Sequence, residues 1–340
     1  METVESEEQQ CERVWARLGP ALVGFKEAAL ACDLWSRDKE GLPDPGRELG
    51  ERVSGLALVL DEQIGVDAPG CAAVKERVGV RMRGELLPYL LLGGLAARCY
   101  TKPKGYAGDY QAIAWFYEDQ ARGIGDLGRA LDRAFMDLPS SQAVRNRRKL
   151  MAGQIQDTLQ EVAPRPAKVT SLACGPAQEL LDVLADLPDP DQLQGTLIDF
   201  DPDALAHVDE RLAALGHPGG ARLLRENLIH LATGRSKTDL ADQDLVYSIG
   251  LIDYFDDPLV ISLINIAHRM LRPGGRLILG NFHPRSTTRA LMDHVFDWHL
   301  IHRDEDDLNR LLRASAFATP ATRILSEPLG VNLFAECSKT

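Results

Sequence analysis

Lys168–Glu179 reads KVTSLACGPAQE, and the fold turns on how this stretch is read. Lys168 to Leu172 is a short apolar strand, and Ala173-Cys174-Gly175-Pro176-Ala177 is a turn of small residues. Gln178-Glu179-Leu180-Leu181-Asp182-Val183-Leu184 then starts a helix. A strand that turns through glycine into a helix gathers backbone N–H groups and a positive helix end at one point. No side chain blocks the backbone there, so a nucleotide-like cofactor can approach it. An ordinary strand-to-helix connection has the same outline. A single glycine is also a weaker signal than the G-x-G-x-x-G of dinucleotide sites.

The residues downstream strengthen the cofactor reading. Gly195-Thr196-Leu197-Ile198-Asp199 is a second apolar strand that ends in a carboxylate. An acid at that place can accept hydrogen bonds from both ribose hydroxyls of a nucleotide. Asp201-Pro202 is a helix N-cap followed by proline at the first helical position. Arg222–Arg225 with Glu226-Asn227 is a candidate third strand, Leu245–Gly250 a fourth, and Leu271–Gly280 a fifth. Strand and helix alternate throughout, which calls for a parallel sheet covered on both faces.

In this order and spacing, LACGPAQE, LIDFDPDAL, LVYSIGLIDYF and LRPGGRLILGNF resemble the class I S-adenosylmethionine (SAM) methyltransferases. Upstream, Thr101-Lys102-Pro103-Lys104-Gly105-Tyr106-Ala107-Gly108-Asp109 resembles a narrower group, the 3-hydroxypalmitic acid methyl ester synthase-like methyltransferases. Ala143–Arg148 and Asp297–Arg303 fit the same group. The broad resemblance covers about Val162 to Thr340. It departs from many class I enzymes at Pro176 and Ala177, where further glycines are usual.

The resemblance implies an α/β fold with a Rossmann-like class I methyltransferase sheet, mostly parallel with an antiparallel C-terminal strand. An all-helical N-terminal domain precedes it, and the expected division is 1–137 and 138–340. SAM is the expected cofactor, held in the sheet domain by Arg147, Ala173, Cys174, Gly175, Pro176, Glu179, Asp199, Phe200, Asp201, Asn227, Leu228, Ser248 and Gly250. Tyr106 and Asp109 join them from the upstream segment. Ligands of open α/β sheets bind at the carboxyl ends of the strands, so Asp253, Tyr254 and His283 are the candidate catalytic residues. Lys102, Tyr110, Leu251, Trp298 and Arg303 are the expected substrate contacts.

Composition bounds the alternatives. A chain of 340 residues suits two domains, and 45% hydrophobic residues suffice for a full core. The net charge of −12 weighs against a nucleic-acid partner, whose phosphates require concentrated Lys and Arg. The six cysteines, Cys11, Cys32, Cys71, Cys99, Cys174 and Cys337, include no C-x-x-C, as suits reduced thiols. The acidic N-terminus does not read as a secretory signal. The apolar run Leu86–Leu95 is about half the length a bilayer needs. A cytoplasmic protein without membrane insertion is expected. No metal is expected either, since Asp253, Asp256 and Asp257 read as a solvated turn.

Helical spacing predicts helices over Glu8–Cys32, Arg47–Ile64 and Ala72–Leu92, with a break at Gly41–Gly46 and a kink site at Pro88. These helices form a cap or a homodimer surface. Cys99–Tyr117 reads as a loop leading to Asp109, which can cap a helix starting at Tyr110 or belong to a lid over the cofactor. Ser140-Ser141 can cap the next helix, whose Arg147 or Arg148 could pair with a carboxylate. Ala321–Leu325 and Asn332–Ser338 fit a closing antiparallel hairpin.

Methyl transfer from a sulfonium needs proximity, orientation and a dry site. A carboxylate acceptor is already charged and needs a positive or hydrogen-bonding group to hold it, for which Lys102, Lys104, Tyr106, Arg147 and Arg303 are candidates. A hydroxyl acceptor needs a base, for which His283 and Asp253 are candidates. The leading expectation is O-methylation of the carboxylate of a small lipophilic acid, with a 3-hydroxy fatty acid implied by the narrow resemblance. The alternatives are O- or N-methylation of another small molecule, a nucleotide-binding module without turnover, and an NAD-linked oxidoreductase.

Overall fold

The computed structural model describes residues 5–37, 44–237 and 239–340. Residues 41–43 of the expected break lie outside them. Residue contacts divide the chain into two units, Met1–Gln142 with Ser286–His299 and Ala143–Arg285 with Leu300–Thr340.

The first unit is helical. Helix α1 (Glu7–Arg37) runs past its expected end at Cys32, with Pro20 inside it, and buries Val14, Leu18, Leu22, Phe25, Ala29 and Cys32. That set recurs at three- and four-residue intervals, as one buried helix face requires. Helix α2 (Gly46–Ile64) buries Leu49, Val53, Leu56, Leu60 and Ile64 in the same manner. Helix α3 (Ala72–Leu90) contains Pro88 and stops two residues before Leu92, and α4 (Gly94–Thr101) follows. Helix α5 (Tyr110–Glu118) is capped by Asp109, whose side chain accepts from the Ala112 amide. Helix α6 (Gly125–Met136) ends the run.

Ser286–His299 belongs to this helical unit although the sheet residues surround it in sequence. The Arg83 Nε donates to the carbonyl of His294 at 2.8 Å, and the His294 Nε2 lies 3.2 Å from the carbonyl of Ile64. A Cβ at residue 79 would stand 2.7 Å from the His294 Nδ1, so this approach requires Gly79. A division at residue 137 therefore separates this segment from the helices that hold it. Nothing in its composition marks the difference.

Helix α7 (Pro139–Val162) begins before the expected cap residues. Ser141 is inside it, and its hydroxyl donates backwards to the Phe135 carbonyl at 2.7 Å. The sheet unit then supplies seven strands: β1 (Ala167–Leu172), β2 (Leu193–Asp199), β3 (Ala221–Arg225), β4 (Gln243–Ser248), β5 (Leu271–Phe282), β6 (Arg323–Ser326) and β7 (Asn332–Ser338). Their order is β3-β2-β1-β4-β5-β7-β6. Strands β1 to β5 pair in parallel, and β7 is antiparallel to both β5 and β6. This is the Rossmann-like sheet with an antiparallel C-terminal strand that the sequence implied. Helices α8 (Gln178–Asp186), α9 (Pro202–Ala214), α10 (Leu228–Ala232), α11 (Asp257–Met270) and α12 (Glu305–Arg313) complete the unit.

Two apolar clusters line the sheet. One joins Val246, Leu277, Leu279, Leu333 and Ala335 to α11 and α12; the other joins Val169, Leu197, Tyr247, Ile278 and Phe334 to α7 and α8. Alternate residues of β5 and β7 go to opposite clusters, as the two-residue period of a strand dictates.

Asp244 ties the amino-terminal edge of the sheet. Its carboxylate accepts from Arg165 at 2.5 and 2.8 Å, from the Lys168 amide at 2.9 Å, and from the Arg272 Nε. Burial raises this carboxyl, but the bonds from Arg165, Lys168 and Arg272 outweigh it and hold it down at about 2. The folded pKa lies below the unfolded one, so the stabilisation is present near neutrality and is lost as pH falls from about 4 towards 2. Asp244→Asn is expected to cost about 2 kcal/mol at pH 7. In urea unfolding the gap from the parent should narrow steadily below pH 4; a gap independent of pH would contradict the assignment.

Candidate functional site

In the order 3-2-1-4-5 the strand sequence reverses between β1 and β4, which makes their carboxyl ends the switch point where open α/β sheets bind ligands. The Ser248 hydroxyl at the end of β4 donates to the carbonyl of Leu172 at the end of β1, at 2.8 Å, and so closes the base of the crevice. The turn after β1 contains three left-handed residues, Ala173 (φ 54°), Gly175 (φ 52°) and Ala177 (φ 47°). Only glycine takes this conformation freely, and each alanine costs about 1 kcal/mol or more.

Asp199 holds this turn. Its Oδ2 accepts from the Gly175 amide and its Oδ1 from the Asp201 amide, both at 2.9 Å. A Cβ at Gly175 would meet no atom within 4 Å, so the turn borders open space. Asp201 in turn caps α9, accepting from the Asp203 amide at 3.0 Å. Burial pushes the Asp199 carboxyl up against these backbone bonds. Each oxygen keeps a second lone pair, so the acid can still receive hydroxyls. Phe200 beside it is half exposed, and Cys174 and Pro176 are buried.

Arg147 is 6% exposed, and its Nε has no hydrogen-bond partner among the described residues. A Cβ built on Gly250 would stand 3.0 Å from both terminal nitrogens of that guanidinium. The absence of a side chain at residue 250 therefore makes room for the arginine. Burial pushes the Glu179 carboxyl up, while the Tyr247 hydroxyl, donating at 2.8 Å, and the charge of Arg147 pull it down. A buried cation with an open donor can take a further anion, in addition to the compensation its charge draws from the nearby Glu179 and Asp253 carboxyls. Arg148, the other arginine considered, is instead an ion pair with Asp182 at 2.6 Å, partly open to solvent.

Asp253 is buried after β4, and its Oδ1 accepts from the Phe282 amide at 2.7 Å. Burial pushes its carboxyl up to about 6, opposed by that amide and by the charges of Arg147 and Arg303. His283 is buried too. Its Nδ1 accepts from the Arg285 amide at 2.9 Å, which leaves the proton on Nε2, 3.3 Å from Glu305. Tyr254 is exposed, and Leu251 packs on the apolar core.

Arg303, expected to hold substrate, turns inward. It is 2% exposed and donates to the carbonyls of Ile252 and Phe255, to Asn281 and to Asp257. Asn227, expected to hold the cofactor, uses its side-chain oxygen to cap α10, accepting from Ile229 and His230, with Leu228 buried behind it. Asp256 caps α11 by accepting from Leu259. Asn332, which nothing in the sequence singled out, faces Phe282 in the β5–β7 register and is 2% exposed. Its Oδ1 has no hydrogen-bond partner among the described residues. A polar residue opening a β-strand looks unremarkable in sequence.

Lys102, Tyr106, Asp109, Tyr110 and Trp298 belong to the helical unit. Lys102 is left-handed (φ 49°) and its Nζ bonds the Asp297 side chain at 2.7 Å. Asp109 is fully buried, with Arg98 donating to both of its oxygens at 2.9 and 2.8 Å while it caps α5. Tyr106, Tyr110 and Trp298 are half-buried. Among the described residues no group of three or more His, Cys, Asp or Glu could hold a metal ion.

Residues 104–331 match the family described as "Putative methyltransferase", about two thirds of the sequence, and the chain belongs to that family. No curated protein matches in sequence. A crystal structure of a protein from Bordetella parapertussis, named as a possible exported protein, is similar over 96% of both chains at 18% identity and a TM-score of 0.57. The CurJ carbon methyltransferase is similar over 88% of this chain and 72% of its own, at 13% identity and a TM-score of 0.51. These likenesses establish the fold.

Asp199→Ala removes the acceptor of two backbone amides at once. The expected cost is about 2–4 kcal/mol in urea unfolding. Hydrogen exchange at Gly175 and Asp201 should accelerate by more than the global loss; protection lost evenly over the sheet unit would argue against this local role.

Proposed function

From membership of a methyltransferase family, we propose that the chain transfers a methyl group from SAM to the carboxylate of a small lipophilic acid, such as a 3-hydroxy fatty acid, and releases a methyl ester. Arg147 carries the cofactor assignment. It is a buried guanidinium with an open donor, at the strand-order reversal where a SAM carboxylate can complete it. The open space over Gly175 and the bare Cα of Gly250 fit the same occupant. Asp199 receives the ribose hydroxyls, and Asp201 and Phe200 flank it. SAM supplies, when bound, an electrophilic methyl group on a sulfonium.

The protein's own part is orientation and exclusion of water. Ser248 fixes the distance between the ends of β1 and β4. Glu179, Asp253 and Tyr247 are buried away from water, where charges interact more strongly than in solvent. The sequence resemblance over Thr101–Asp109, Ala143–Arg148 and Asp297–Arg303 supports the carboxylate acceptor. The absence of a C-x-x-C among the six cysteines supports a cytoplasmic setting, and no described helix is long and apolar enough to cross a membrane. Val23, Leu30 and Leu34 expose one apolar stripe of α1, which supports a homodimer.

A second reading, methylation of a hydroxyl, is favoured by Asp253. A buried carboxyl near 6 can take a proton from an attacking hydroxyl at neutral pH. The two readings differ in the sign of the pH dependence. A hydroxyl acceptor needs Asp253 ionised, so turnover rises as pH climbs through about 6. A carboxylate acceptor is repelled by ionised Asp253, so turnover falls over the same interval. Asp253→Asn abolishes the inflection in either case.

Arg147→Ala is expected to weaken binding of S-adenosylhomocysteine about 10- to 100-fold in calorimetry, the worth of a charge-assisted bond. Unchanged affinity would remove the basis of the cofactor placement. Methyl-deuterated SAM, incubated with protein and lipophilic metabolites, should give a labelled product whose label mild alkali releases. Label that survives alkali would favour the hydroxyl reading.

A further inference from the structure

We propose that Arg303 is a positioning residue for Asp253, holding its carboxyl against the Phe282 amide at the carboxyl edge of the sheet. The role of Asp253 in methyl transfer rests on the function proposed above; the link between the two residues does not.

The geometry encloses Asp253 from both sides. The Arg303 Nη1 donates to the carbonyl of Ile252 at 2.8 Å, one residue before Asp253, and its Nη2 donates to the carbonyl of Phe255 at 2.7 Å, two residues after. The main chain adds two bonds of its own. The amide of Ile301 donates to the Asp253 carbonyl at 2.7 Å, and that of Arg303 to the Phe282 carbonyl at 3.0 Å. Residues 301–303 therefore grip Phe282 on one side while its amide grips Asp253 at 2.7 Å on the other. Asn281, bonded to the Arg303 Nη1 at 3.0 Å and to the Ile301 carbonyl at 2.9 Å, fixes the end of β5 to the same segment.

Arg147 approaches from α7 and Arg303 from the segment after β5, and both favour the ionised carboxyl against its burial. Behind Arg303 stands Asp257, at 3.0 Å, which also pairs with the exposed Arg310 at 2.7 Å. His283, next to Phe282, bonds Glu305 and the Arg285 amide instead. An arginine whose donors all serve one loop and one strand end has no capacity left for a substrate. It acts through the group it frames.

The test is a titration of Asp253 in the full chain, read by carbon-13 NMR of labelled aspartate carboxyls and assigned by the signal missing from Asp253→Asn. The parent midpoint is expected at about 6. Arg303→Met should raise it to about 7, since an opposite charge has been withdrawn. Arg303→Lys should move it less and lower thermal stability, because the charge stays while the forked bonds are lost. It also carries the test where Arg303→Met does not fold. Arg310→Ala, a surface control, should leave the midpoint in place. A midpoint that stays fixed in both Arg303 variants while stability falls would overturn the proposal and reduce Arg303 to a packing role. The readout needs neither cofactor nor acceptor, so a failed methyl-transfer assay leaves its result intact.

Discussion

The carboxylate of Asp199 is the constraint on which the crevice depends. It gives one oxygen to the Gly175 amide and the other to the Asp201 amide, so a single side chain sets both the turn after β1 and the start of α9. The turn needs such a hold because Ala173 and Ala177 are left-handed without being glycine. A carboxylate suits the task better than an amide would, since either of its oxygens can accept. The cost is burial of an acid, which shows in its raised pKa and is offset by the backbone amides that face it.

Cations in this chain divide by how their donors are occupied. Arg303 is saturated by carbonyls, a carboxamide and a carboxylate, and Lys102 and Arg98 are paired with acids inside the helical unit. Arg147 is the contrasting case: deeply buried, packed against a glycine, and with an unbonded Nε. Composition cannot separate these states, because the helix Pro139–Val162 carries Arg145, Arg147, Arg148 and Lys149 in close succession. Helix geometry separates them. Residues one apart point in directions about 100° from each other, so Arg147 goes inward while its neighbour Arg148 meets Asp182 nearer the surface.

The sheet was legible because its signals are local and periodic. The apolar strands, the Asp201-Pro202 cap and the Pro-Gly-Gly turn before Leu277 each occupy a few consecutive residues. What escaped the sequence depends on contacts between distant residues. The inclusion of Ser286–His299 in the helical unit rests on the closeness that Gly79 permits to His294, a glycine that reads in sequence as a helix weakness. The role of Arg303 required knowing that residues 252–257 and the end of β5 converge on it. Asn227 is different, since its capping of α10 follows an ordinary local rule for a polar residue just before a helix.

The two ends of the parallel strands treat buried acids in opposite ways. At the amino-terminal edge, Asp244 is surrounded by two arginines and an amide and is held fully ionised, which locks the edge. At the carboxyl edge, Glu179, Asp199 and Asp253 are all pushed up by burial and only partly compensated. Of the three, Asp253 is brought to about 6, where a carboxyl can exchange a proton near neutrality, while Asp199 also serves as the brace of its turn. The same backbone alternation supplies both edges, so the difference lies in side chains alone. That electrostatic contrast supports the site proposed at the carboxyl edge, on grounds separate from the strand order.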